Sequence, residues 1–127
     1  MDVNERLKGL ERITGIQVFP DESPAEREKS ISFVYEDERP ILHGDDRPVA
    51  DTVYIQLTLY TPSKLNYMDL KHRIRDYLED EGFCVTSIQS WIDAGLTGTK
   101  RTRHTVFEIN YTEPRERGGY KSWHIMD

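Results

Sequence analysis

A single cysteine, Cys84, stands among the 127 residues, which excludes an internal disulfide framework and a zinc site built from several thiolates. No run approaches the roughly 18 consecutive apolar residues that span a bilayer. The opening MDVNERLKGLERI is charged along its length and has no signal-peptide apolar region, so a soluble cytosolic protein is expected. There is no excess of positive charge either: 17 Lys+Arg stand against 23 Asp+Glu, a balance poorly matched to nucleic acid. Hydrophobic residues make up only 36% of the chain and the mean hydropathy is −0.71. The core must therefore be modest under a very polar surface, although a chain this long buries roughly two-thirds of its unfolded surface without staples. Also missing are a G-x-S-x-G nucleophile turn, a glycine-rich phosphate loop, an H-E-x-x-H pair, internal repeats and low-complexity runs.

What is present is segregated charge and a clear alternation of periods. Residues 21 to 51 hold ten acids and four bases, and residues 94 to 127 hold six bases and four acids. An acidic middle and a mildly basic end suit contact between copies of the chain. Asp2 with Glu5 three residues on reads as a helix start, Val3, Leu7 and Leu10 recur at helical spacing, and Gly15 ends the helix. A short strand over residues 16 to 19 closes at Pro20, and residues 30 to 35 alternate as a half-buried strand. The segment Glu36 to Asp51, with Pro40, Gly44, Asp45, Asp46 and Pro48, reads as a long turn region, mobile in an isolated subunit.

Alternation returns from Thr52 to Tyr60, where Val53, Ile55, Leu57 and Leu59 share one face and Tyr54, Gln56, Thr58 and Tyr60 the other. A helix follows from about Asn66 to Gly82, with Leu70, Ile74 and Leu78 on its apolar face. Two further strands, Phe83 to Ile92 and Thr102 to Tyr111, form a hairpin. In the first of them the apolar positions change register between Val85 and Ile88, as a bulge produces. The expected fold is α+β: a mostly antiparallel or mixed sheet of about four to five strands with two helices packed on one face. Residues 1–112 form one domain, and residues 113–127 a C-terminal tail or docking arm.

Chemistry-bearing groupings are sparse. His43, Asp45 and Asp46 in HGDD could hold a divalent ion, but their spacing matches no established site, and Asp-Asp beside Gly and Pro is ordinary turn chemistry. No metal or cofactor is expected, and a small metal-dependent enzyme on that loop is the minor alternative. Cys84 between Phe83 and Val85 reads as a buried, inert thiol. The basic stretch Lys100, Arg101, Arg103, followed by Arg115, Arg117, Lys121 and Trp123, suits acidic protein surface better than nucleic acid.

The run ADTVYIQLTLYTPSKLNYMDLKHRIRDYLEDEGF from Ala50, together with the opening helix and ITGIQVF, resembles the tail terminator or tail-completion proteins of long-tailed bacteriophages and prophages. It shares an Ala-Asp pair opening a strand that ends Leu-Tyr-Thr, a polar break, an amphipathic helix and a Gly-Phe step into a hairpin. The likeness covers roughly residues 3 to 112 and leaves out TEPRERGGYKSWHIMD. It implies a non-enzymatic structural subunit, ring-forming and typically hexameric, that caps the head-proximal end of the tail tube and offers the surface on which the head docks. A neighbouring head-tail connector component is the alternative. The partners so implied are other copies of the chain, the tail tube protein and connector proteins, with no membrane. The location implied is host cytoplasm, then virion tail. Inter-subunit contact is expected at Ile41, Leu42, Asp45 and Asp46 of the acidic segment and at Arg101, Arg103, Arg115, Arg117 and Trp123 of the basic one.

Overall fold

The computed structural model describes residues 2–21, 28–42, 48–93 and 101–115. Asp2 caps the first helix, its carboxylate accepting the Glu5 N–H at 3.1 Å. The expected single N-terminal helix is divided into α1 (Val3–Lys8) and α2 (Leu10–Thr14). The break comes from Tyr77, whose hydroxyl donates to the Arg6 carbonyl at 2.7 Å. That oxygen is the one an unbroken helix would offer to the Leu10 N–H. The phenol also occupies the place a Cβ would take at Gly9, so a glycine there lets the ring in. Gly15 ends α2 in the left-handed region at φ 74°.

The remaining elements are β1 (Val18–Pro20), β2 (Ser30–Leu42), β3 (Pro48–Pro62), α3 (Met68–Asp80), β4 (Cys84–Asp93) and β5 (Thr102–Pro114). They make one five-stranded sheet in the order β1-β2-β3-β5-β4. The β1–β2 pair is parallel and every other pair antiparallel, so the sheet is mixed and the fold α+β. Residues directly opposite in a ladder share a face. Ile31, Phe33, Ile55, Leu57, Leu59, Phe107 and Ile109 therefore stand together, and they form one buried cluster with Val3, Leu7 and Leu10 and with Ile74 and Leu78 of α3. The helices thus cover one face of the sheet, with the odd positions of β3 turned toward them. Among the described residues the other face carries no helix.

The expected bulge in β4 is present, with the register shifting between Val85 and Ser87. Thr86 is the extra residue, and the shift returns Ile88 to the core face beside Phe107.

Two expectations are corrected. Residues 36–42 and 48–51 are not turn: they continue β2 and β3 as a paired ladder, from Asp37 opposite Tyr54 to Leu42 opposite Pro48. Pro40 is tolerated because β1 pairs only with residues 31–33. Beyond them β2 is an edge, where a missing N–H costs no ladder bond. Cys84 is exposed rather than buried. Alternation after buried Phe83 turns it to the helix-free face, opposite Asn110. At the chain's far end β5 runs to Pro114, and the Arg115 N–H donates to the Val49 carbonyl at 2.9 Å.

Candidate interaction surfaces

Three regions of the sheet carry groups that the core does not use. The first is the helix-free face. His104 sits between Tyr60 and Trp91 in one cross-strand row. Its ring stacks on the Trp91 indole at 5.3 Å and 7° and meets Tyr60 edge-on at 4.9 Å. Half of Trp91, 49%, is open to solvent. Along the same face Gln56 Nε2 donates to Glu108 Oε2 at 3.1 Å and more weakly to Glu36 Oε2 at 3.4 Å. The hydrogen bond with Glu108 raises the Glu36 carboxyl above the usual range, with burial and the Glu108 and Asp37 charges adding to it.

The second region lies on the helix-bearing face, where the helices no longer reach. The bulge between Tyr35 and Asp37 turns Glu38 onto this face opposite Val53. Tyr35, Glu38, Asp51, Val53, Tyr111, Glu113, Pro114 and Arg115 line an open cleft of about 580 Å³. Arg115 grips Asp51 bidentately, with bonds of 2.8 and 3.0 Å. Tyr111 is only 9% exposed and meets Phe83 edge-on at 5.7 Å. Burial, reinforced by the charges of Glu113, Tyr35 and Glu38, pushes its hydroxyl up to about 12. The hydroxyl is thus a donor over the whole working pH range. At the cleft mouth Tyr35 is 53% exposed and its phenol is also raised, by burial and then by the Asp2 charge.

The third region is the opposite end of the same face. Arg103 stands across from Thr61. Its guanidinium lies 4.2 Å from the Tyr67 ring centroid, and Lys71 Nζ lies 5.4 Å from the same centroid. Thr61 Oγ1 and Arg103 Nε are buried without a hydrogen-bond partner among the described residues.

The residues expected from the sequence divide between these ends. Ile41 and Leu42 close the β2–β3 ladder opposite Ala50 and Pro48, and Leu42 is 57% exposed. Arg115 lies in the cleft and is paired within its own chain. Arg101 and Arg103 are at the far end, where Arg101 is exposed and its carbonyl accepts the Ser63 N–H at 3.0 Å. His43, Asp45, Asp46, Arg117 and Trp123 fall outside the described residues, and with them the possible metal loop.

Sequence reasoning missed Tyr35, Glu38, Tyr111 and Tyr67 as surface-forming residues. Strand alternation groups Tyr35 with Ile31 and Phe33, and Tyr111 with Phe107 and Ile109. It carries no signal of where along the strand the helices stop. No helix among the described residues is long and apolar enough to cross a membrane. No family model matches the chain, and no curated protein matches it.

Proposed function

We propose that this protein is a ring-forming structural subunit that caps a phage tail tube and presents the surface on which the head docks. The observation that carries the reading is the outer β2–β3 hairpin. From Tyr35 onward β2 leaves the core and is almost wholly exposed, yet it keeps its ladder to β3 and carries the apolar Leu42 near its end. Such an arm contributes little to its own domain and can add apolar contact and free edge hydrogen bonds to a neighbour. A ring repeats one patch against a different patch around an axis, and the unlike ends of the sheet supply unlike patches. The sequence likeness to tail terminators supplies the location, the head-proximal end of the tail, and implies no catalytic step.

Negative-stain images of concentrated protein, alone and added to polymerising tail tubes, test the reading. Rings with a central hole, or discs closing tube ends, are expected. Protein that stays monomeric in both settings while tubes grow on unchecked would refute it.

A further inference from the structure

The two edges of the sheet are protected to different degrees. On one side β1 is only three residues long and ends at Pro20. Beyond it β2 shows Glu36, Asp37, Glu38, Arg39 and Pro40, charges and a proline of the kind that keep other strands off an edge. On the other side lies β4, last in the strand order and paired only with β5. It has no lysine, arginine, proline or glycine, and its single charged residue is Asp93, at the very end. Its bulge is confined to the start, between Val85 and Ser87, so Ser87 to Asp93 run in unbroken register with β5. The outer backbone groups of that run have no strand partner among the described residues.

The unprotected backbone is accompanied by uncovered apolar side chains. Trp91 and Ile92 are both exposed, and they lie on opposite faces: Trp91 stands across from His104, and Ile92 from Arg103. Exposure of Ile92 on the helix-bearing face means that α3 does not overhang this end of the edge.

We propose that β4 pairs antiparallel with β4 of a second copy about a two-fold axis at Ser90, joining two five-stranded sheets edge to edge. A two-fold axis normal to the sheet keeps each side chain on its own face. It sets Ile88 opposite Ile92 of the other copy, Gln89 opposite Trp91, and Ser87 opposite Asp93. Each exposed Ile92 is then covered by an isoleucine and each Trp91 ring by the stem of a glutamine. No like charges meet. Self-pairing of the exposed half of β2 would instead bring Glu36, Asp37 and Glu38 against those of its copy, so charge selects β4. One strand thus supplies the cover that its own exposed residues need, which is why a second copy is the occupant. Main-chain hydrogen bonds carry most of such a contact. A short strand edge falls below the roughly 1,000 Å² of a stable interface, so the dimer is weak and concentration-dependent. The contact is isologous and closes on two copies, so it does not rest on the ring reading, and neither result of the ring imaging decides it.

Disulfide mapping reads the register, in a Cys84→Ser background that removes the one native thiol. Opposed Cα atoms of an antiparallel pair are about 4.5–5.5 Å apart, within disulfide reach. Ser90→Cys should therefore form a covalent dimer under mild oxidation. Ser87→Cys, roughly 20 Å from its own copy at about 3.3 Å per residue, should not. Two further proteins, each lacking the Trp91 indole, read the contact through charge. Gln89→Glu/Trp91→Glu sets glutamates opposite each other, whereas Gln89→Lys/Trp91→Glu sets lysine opposite glutamate. Sedimentation velocity should show dimerisation more than about tenfold weaker in the first than in the second. The natural protein should show a monomer–dimer equilibrium that shifts with concentration.

Monomeric natural protein at millimolar concentration, cross-linking at Ser87 equal to that at Ser90, or equal association of the two charged proteins would each overturn the contact.

Discussion

The inner and outer halves of β2 run in one ladder with β3 and differ in what lies across them. Over residues 30–33 the strand is buried, with Ile31 and Phe33 in the same cluster as Leu57, Leu59 and the helices. From Tyr35 outward the ladder continues, but Glu38 looks into an open cleft and Asp37 and Arg39 are exposed. Arg39 there lies over the Tyr54 ring at 5.2 Å and pairs with Asp37 at 2.8 Å. Backbone hydrogen bonds are therefore common to both halves, and apolar burial belongs to one. A ladder bond nets about 0.5–1.5 kcal/mol, whereas a buried Leu or Ile contributes about 1.5–3 kcal/mol. The inner half holds the fold together and the outer half is held by it.

The largest effects should come from emptying the inner half. Leu57→Ala or Ile74→Ala should cost roughly 2–5 kcal/mol in urea unfolding, while Lys71→Ala stays near zero. Equal small losses at all three would erase the contrast. Hydrogen exchange sharpens it next: amides of residues 55–59 should open only with global unfolding, and those of residues 38–42 at a free energy several kcal/mol lower. Matching protection in the monomer would mean that something other than the helices secures the hairpin.

A smaller effect is expected at the cleft. Asp51→Asn breaks a bidentate pair that is partly exposed, and should cost about 0–1 kcal/mol, less at high salt. The smallest concerns Glu36 and Glu108 beside the bulge. The folded carboxyl of Glu36 is raised above its unfolded value, so the native state holds the proton more tightly there. Stability should fall as pH rises through the window just above the ordinary glutamate value, about 4.3. Glu108→Gln removes the cause, so thermal melts of that variant should lose this decline and gain slightly at pH 7. A steeper decline would reverse the assignment.

Much of this was legible in the chain. The period-two runs of β3 and β5 and the Val85–Ile88 register change state which side chains share a face, because strand geometry leaves no other choice. The same rule, applied to Phe83, would have turned Cys84 outward. The hairpin was misread because Pro40, Asp45 and Asp46 are local turn signals, whereas tolerance of Pro40 depends on β1 stopping at Pro20, a fact of sheet order.

The sequence by itself thus determined the α+β class, the helix-facing residues and the segregation of charge, all of which follow from local periods and composition. Only the tertiary structure decided where the helices end along the sheet. That brought Glu38, Tyr111 and Arg115 together at one end and Tyr67, Lys71 and Arg103 at the other. The physical reason is that a strand's alternation repeats identically along its length, while the cover over it is set by residues distant in sequence.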